Sequence, residues 1–206
     1  MVLYTHINSL GLNNIYTWVM EKNTGKFNPY HNNFHLENIA EIILTHLPFS
    51  NETIEFRTKI ITAALFHDFD HSGGKLKNDD ENIALALNGY YFYCQSHNIE
   101  IDNDVIGLIE CTRYPYKSDG SDLSEMQKIL RDADILQGMF CQNYINGVIR
   151  ALAEESGFSF EKMLEGQETF LTNVKFLTKW ASSKAEWYLP NVLRQVCDAK
   201  KIYKIN

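Results

Sequence analysis

The run Ile60-Ile61-Thr62-Ala63-Ala64-Leu65-Phe66 is apolar almost all round a helix, and His67-Asp68-Phe69-Asp70-His71 follows it directly. A helix with so little polar face belongs at the centre of a helical core. Its end therefore delivers imidazoles and carboxylates to a place where an isolated charge carries a large desolvation cost. A dication or a hydrogen-bond partner must offset that cost.

Prolines at positions 29, 48, 115 and 190 interrupt the 206 residues, and the segments between them carry helical periodicity rather than alternation. The expected fold is all-α: one compact helical bundle over 1–206, with a site core at about 28–140 and helices at about 159–201 completing a pocket. Helices are expected over 9–22, 33–47, 52–71, 81–97 and 102–112. A longer one over 123–154 has Gly138 or Gly147 as its breaking point, and a last pair covers 159–183 and 185–201. Phe34, Ile39, Ile42, Ile43 and Leu47 share one stripe of the second helix, which Pro48 stops; Ser72-Gly73-Gly74 is read as the end of the third. A chain of this length buries a core without disulfides or a structural metal, so any metal is free for catalysis.

The formal charge of −7 provides no basic field for duplex nucleic acid or an anionic membrane, although it allows a local positive pocket for a small phosphate. Cys94, Cys111, Cys141 and Cys197 form no Cys-x-x-Cys and are read as reduced core or surface residues. With no secretory-signal pattern and no apolar stretch of spanning length, the expected location is cytoplasmic. Tyr90-Tyr91-Phe92-Tyr93, Trp180 and Trp187 read as core or oligomer interface, which leaves the oligomeric state open.

A second signature is Tyr30-His31-Asn32-Asn33-Phe34-His35. If its helix begins by Tyr30, His31 and His35 emerge on one face, and His67 and His71 repeat that spacing. Imidazoles and carboxylates without thiolates suit borderline and hard divalent ions. A further carboxylate is needed, and Arg131-Asp132-Ala133-Asp134-Ile135-Leu136 offers two, of which one should point inward.

In order and spacing, His35, His67-Asp68 and Asp134 in its Ala-Asp-Ile-Leu setting resemble the HD-domain metal-dependent phosphohydrolases. Within them the chain looks most like the catalytic domain of class I 3',5'-cyclic nucleotide phosphodiesterases. That family's Tyr-His-Asn-x-x-His and His-Asp-x-Asp-His-x-Gly elements stand here as Tyr30 to His35 and His67 to Gly73, with Ser72 where the family has proline. The resemblance covers roughly residues 28–185.

It implies His35, His67, Asp68 and Asp134 as ligands of one divalent ion, with Asp68 bridging to a second held largely by water; zinc with magnesium or manganese is the implied pair. Two dications flanking a hydroxide supply a nucleophile and neutralise charge developing on phosphorus. It further implies His31 as general acid toward the leaving oxygen, His71 as orienting the second ion's water shell, and Glu81 as accepting from metal-bound water. Asp132 is then an exposed or capping acid. Thr112 matches a position near the family's site, and Arg113 is either a phosphate contact or a surface cation. Gln167 and Phe170, at i and i+3, resemble a purine clamp in which an amide reads the base edge and an aromatic stacks on its face, with Tyr30 also on the substrate side.

The implied activity is hydrolysis of a nucleotide phosphoester, a 3',5'-cyclic nucleotide first. This chain lacks family loops between His71 and Glu81 and between Asp134 and Gln167, so a nucleotidase or deoxynucleotide triphosphohydrolase is the alternative. An HD-fold di-iron oxygenase would need a further downstream histidine, and His97, in a polar helix end, is the one candidate. A non-catalytic nucleotide-binding module would be expected to have lost ligands, whereas all four are present.

Overall fold

The computed structural model describes residues 2–46, 53–76, 78–116 and 118–205, and all regular structure among them is helical. The bundle is built from α1 (Val2–Ser9), α2 (Asn13–Lys22), α3 (Asn33–His46), α4 (Ile54–Phe66), α5 (Asp79–Ser96), α6 (Asn103–Cys111) and α7 (Glu125–Met139). A π-helical stretch, Ile145–Arg150, then runs into α8 (Ala151–Ser156), followed by α9 (Phe160–Glu165), α10 (Gln167–Asn173) and α11 (Lys179–Tyr203). Leu47 and Pro48 lie outside the described residues, as do Lys77 and Lys117 in two of the expected loops.

The apolar run is the centre of the fold. Ile60, Ile61, Ala63, Ala64, Leu65 and Phe66 are fully buried, and α3, α5, α6 and α7 pack around α4. Two apolar clusters result. One extends from Ile7 to Ala133 and includes the buried Tyr90 and Tyr93; the other runs from Leu136 to Ala199. Helix α7 joins them, giving Ile129, Leu130 and Ala133 to the first and Leu136 and Met139 to the second. The four cysteines are free thiols. No helix among the described residues is long and apolar enough to cross a membrane.

Several boundaries differ from the sequence expectation. The helix expected over 9–22 starts at Asn13, because Gly11 turns the chain at φ 71° and a separate α1 precedes it. The helix expected over 52–71 stops at Phe66, and His67 to Asp70 form turns instead. The Ser72-Gly73-Gly74 stop thus lies beyond the true helix end. The segment expected over 123–154 breaks after Met139, one residue past Gly138, and Gly147 sits in the π-helical stretch, where a Cβ would collide with Cys141 Sγ.

The pair expected over 159–183 and 185–201 is three helices. Thr178 caps α11 by accepting from the Ala181 N–H, and Asp132 accepts the Leu177 and Thr178 N–H groups, so the chain stops and restarts before 179. These donors are satisfied by a residue 45 positions away in sequence, which no local pattern reveals.

Candidate metal centre

The turn behind α4 is held by polar side chains from the N-terminal segment. Asp70 adopts φ 59°, donates its N–H to Asn23 Oδ1 at 2.8 Å, and accepts from the Thr24 N–H at 2.6 Å and the Thr24 hydroxyl at 2.9 Å. Asn23 is fully buried and also accepts from the Gly25 N–H. Asn28 donates to the His71 carbonyl at 2.7 Å and the His31 carbonyl at 3.2 Å, tying the two histidine signatures together. These bonds bend the chain out of the helix at the residues of the second histidine signature.

His31 lies ahead of α3 rather than inside it, so it does not share a helical face with His35 as the spacing suggested. The two rings still converge, with centroids 5.4 Å apart, because Asn32 accepts from the Phe34 and His35 N–H groups and starts the helix there.

The four expected ligands meet. His35 Nε2 is 3.2 Å from Asp68 Oδ2 and 3.4 Å from Asp134 Oδ1; His67 Nε2 is 3.2 Å and 3.9 Å from the same oxygens. Two donors, each about 2.1 Å from one tetrahedral ion, stand about 3.4 Å apart, which the three shorter spacings match; His35, His67 and Asp134 form one group able to hold an ion, and His31, His35 and Asp68 form another that shares His35. His67 Nδ1–H donates to the Ala64 carbonyl at 2.8 Å, which fixes the tautomer and turns the Nε2 lone pair toward the carboxylates. Nε2 of His67 and both ring nitrogens of His35 are buried without a hydrogen-bond partner. Such orphans cost about 1–3 kcal/mol each unless something coordinates them.

The electrostatics agree. Burial opposes protonation of His35, yet the Asp134 and Asp68 carboxylates facing its Nε2 raise its pKa to about 10; His67 is raised against the same burial by the charge of Asp68. Burial works against the Asp68 carboxylate, but the neighbouring imidazoles hold it well below its ordinary range. The pocket thus draws positive charge, as protons or as a divalent ion. The donor set fits a divalent ion.

Asp134 faces the centre, whereas Asp132 is 1 % exposed and bonds Leu177 and Thr178. The expected capping role of Asp132 is present; the exposed alternative is not.

Glu155 carries no sequence signature and yet organises the site. Its carboxylate accepts the Tyr30 and His31 N–H groups, each at 2.9 Å, bonds His31 Nδ1, and lies 3.3 Å from His71 Nδ1. Burial favours its neutral form, but the bonds from His31 and His71 win and lower its pKa. His71 is raised: burial opposes this and Glu155 outweighs it. Gly74, at φ 74°, permits the approach, since a Cβ there would stand 2.5 Å from the Glu155 carbonyl oxygen. Gly74 thus seats α8 rather than ending α4, while Gly73 leaves room for the Asn28 side chain. The His31 and His71 rings lie 4.0 Å apart above this carboxylate, and His31 Nε2 faces Asp68 Oδ2 at 4.0 Å.

A cleft of about 570 Å³ opens over the centre, lined by His31, Asp68, His71 and Asp134 on one wall and by Gln167 and Phe170 on the other. Tyr30 and Thr112 also line it, and the Tyr30 hydroxyl donates to Gln137 at 3.0 Å. A cavity of about 640 Å³ lies behind Tyr30 and His35 and contains neither Asp68 nor Asp134. Two expected residues are not brought to the cleft. Glu81 is exposed in the first turn of α5, where its N–H is capped by Asn78, and Asp79 of that turn lines the cleft instead. Arg113 pairs with Asp80 at 2.9 Å on the surface. His97 stacks on Tyr93, and its Nδ1 bonds the Tyr93 carbonyl at 2.9 Å; it joins no metal-competent group among the described residues.

Comparison with protein-family models, with curated proteins and with solved structures gives no match.

Proposed function

We propose that this chain is a metal-dependent phosphohydrolase of the HD type that cleaves a nucleotide phosphoester. The observation that carries the reading is the convergence of His35, His67, Asp68 and Asp134, with the buried Nε2 atoms of both imidazoles turned toward the two carboxylates and without a hydrogen-bond partner. Those residues would hold a divalent ion, which when bound activates water near neutral pH and offsets charge on phosphorus.

The remaining groups supply the rest of the reaction. Glu155 holds His31 by Nδ1, which leaves Nε2 directed at the cleft to give a proton to the leaving oxygen. His71, against the same carboxylate, sits where it can orient water beside Asp68. Across the cleft, Phe170 offers a stacking face, and Gln167 is fixed by the Tyr144 hydroxyl, which donates to its Oε1 at 3.0 Å.

A 3',5'-cyclic nucleotide is the first substrate on this reading. Nucleoside mono- and triphosphates are the second; a side cavity beside Phe170 that Arg131 lines favours the triphosphate. Purified protein supplied in turn with zinc, magnesium, manganese and nickel should hydrolyse at least one member of a panel of cyclic, mono- and triphosphate nucleotides, and His35→Ala should not. No hydrolysis of any member by metal-loaded protein contradicts the proposal.

A further inference from the structure

Beyond Phe170 the cleft continues into a cavity of about 510 Å³, which shares Tyr114, Tyr116, Ile135 and Phe170 with it. Arg131 lines this cavity, is 6 % exposed, and its Nε has no hydrogen-bond partner. Its Cζ lies 3.4 Å from the centroid of the Tyr116 ring. Stacking of that kind uses the face of a guanidinium and leaves its in-plane N–H groups for acceptors. No carboxylate among the described residues lies within ion-pairing distance of Arg131. Its neighbour Asp132 is engaged by Leu177 and Thr178. A buried guanidinium in that state calls for an anion.

The surroundings select its kind. Lys175 adds a positive charge at the exposed rim, close enough to act on the Asp119 carboxylate of the same wall, which also accepts the Ser121 N–H at 3.0 Å; the buried charge of the cavity is that of Arg131. Arg131 precedes Asp134 by three residues on α7, so the two side chains leave the helix about one turn apart on the same side.

We infer that the Arg131 cavity is an anion-binding subsite of the cleft, built for a phosphate-class group that the substrate carries in addition to the ester at the metal centre. The substrate half of this inference rests on the nucleoside-triphosphate form of the phosphohydrolase reading, since a cyclic nucleotide carries no second phosphate; the anion binding does not. A planar fork of donors recognises phosphate oxygens in pairs, and nucleoside polyphosphates place one such group beside another.

Calorimetric titration with inorganic phosphate tests it, on protein as purified and again after chelation, which removes the metal centre from the reading. Wild-type protein should keep a phosphate site after chelation. Arg131→Gln should weaken it about tenfold, and Lys175→Gln, at an exposed position, about threefold. Should Arg131→Gln fail to fold, Arg131→Lys and Lys175→Gln decide. Absence of phosphate binding in chelated wild-type protein, or equal affinity in the folded variants, overturns the subsite. With nucleotides, Lys175→Gln should raise KM for a nucleoside triphosphate and leave KM for the monophosphate unchanged; an equal effect on both overturns the substrate assignment. Phosphate binding at Arg131 in a protein that hydrolyses no nucleotide upholds the subsite and contradicts the phosphohydrolase reading instead.

Discussion

The two walls of the cleft are built differently. The metal-side wall hangs on α3, α4 and α7, whose buried residues form the larger apolar cluster, and it is braced by Asn23, Asn28 and Asp70. The opposite wall is made of the π-helical stretch and the short helices α8, α9 and α10, packed on the smaller cluster. Coordination tolerates little displacement, so the first wall spends buried hydrogen bonds on position. A wall that shapes a ligand pocket is free to differ in length and in break points. Damage to the first should therefore abolish chemistry, and damage to the second should change affinity.

Substitution on the metal wall is the most severe test of that contrast. His67→Ala should lower kcat by about a thousandfold or more and eliminate stoichiometric zinc binding, read by elemental analysis alongside turnover. Near-normal zinc content in this variant would dissolve the distinction between the walls.

Glu155 belongs to the second wall and serves the first, which makes it the sharpest probe of the boundary. Glu155→Gln should reduce kcat about a hundredfold while leaving zinc content intact. Its stability signature has a definite sign. The folded pKa of Glu155 is depressed, so its contribution is fully present above the ordinary 4.5 and fades as pH falls below it. His71 is raised, so its contribution is fully present below the ordinary 6.5 and fades as pH rises through the folded value. Metal-free wild-type protein should gain most from this pair between those limits, and Glu155→Gln should flatten the profile in thermal melts.

Asn23→Ala removes a buried acceptor and leaves the Gly25 and Asp70 N–H groups without their partner. About 3 kcal/mol of destabilisation is expected in denaturant titration. The smallest effect is expected across the cleft: Phe170→Ala should raise KM about tenfold with kcat little changed, as loss of one stacking platform does.

What the sequence discloses tracks how locally each feature is determined. The run from Ile60 to Phe66 announces a central helix because periodicity and burial are properties of the segment itself. His35, His67, Asp68 and Asp134 are legible because residue type and order alone single them out, and the structure brings them together. The halt of α4 at Phe66 is not legible, since it depends on Asn23 and Thr24 reaching Asp70 from more than forty residues away. Glu155 is hidden for the same reason, one acid in an ordinary amphipathic stretch, selected by the histidines it meets. Glu81 and Asp79 differ only in which side of a helix turn faces the cleft, and capping by Asn78 sets that. The start of α11 likewise depends on Asp132, whose partners appear only once α7 is in place.

Diffraction from crystals grown with zinc, recorded at the zinc absorption edge, tests the central claim most directly. An anomalous peak is expected about 2.0–2.2 Å from Nε2 of His35, Nε2 of His67 and one oxygen each of Asp68 and Asp134. An empty position between those four side chains, with zinc bound elsewhere or not at all, would contradict it.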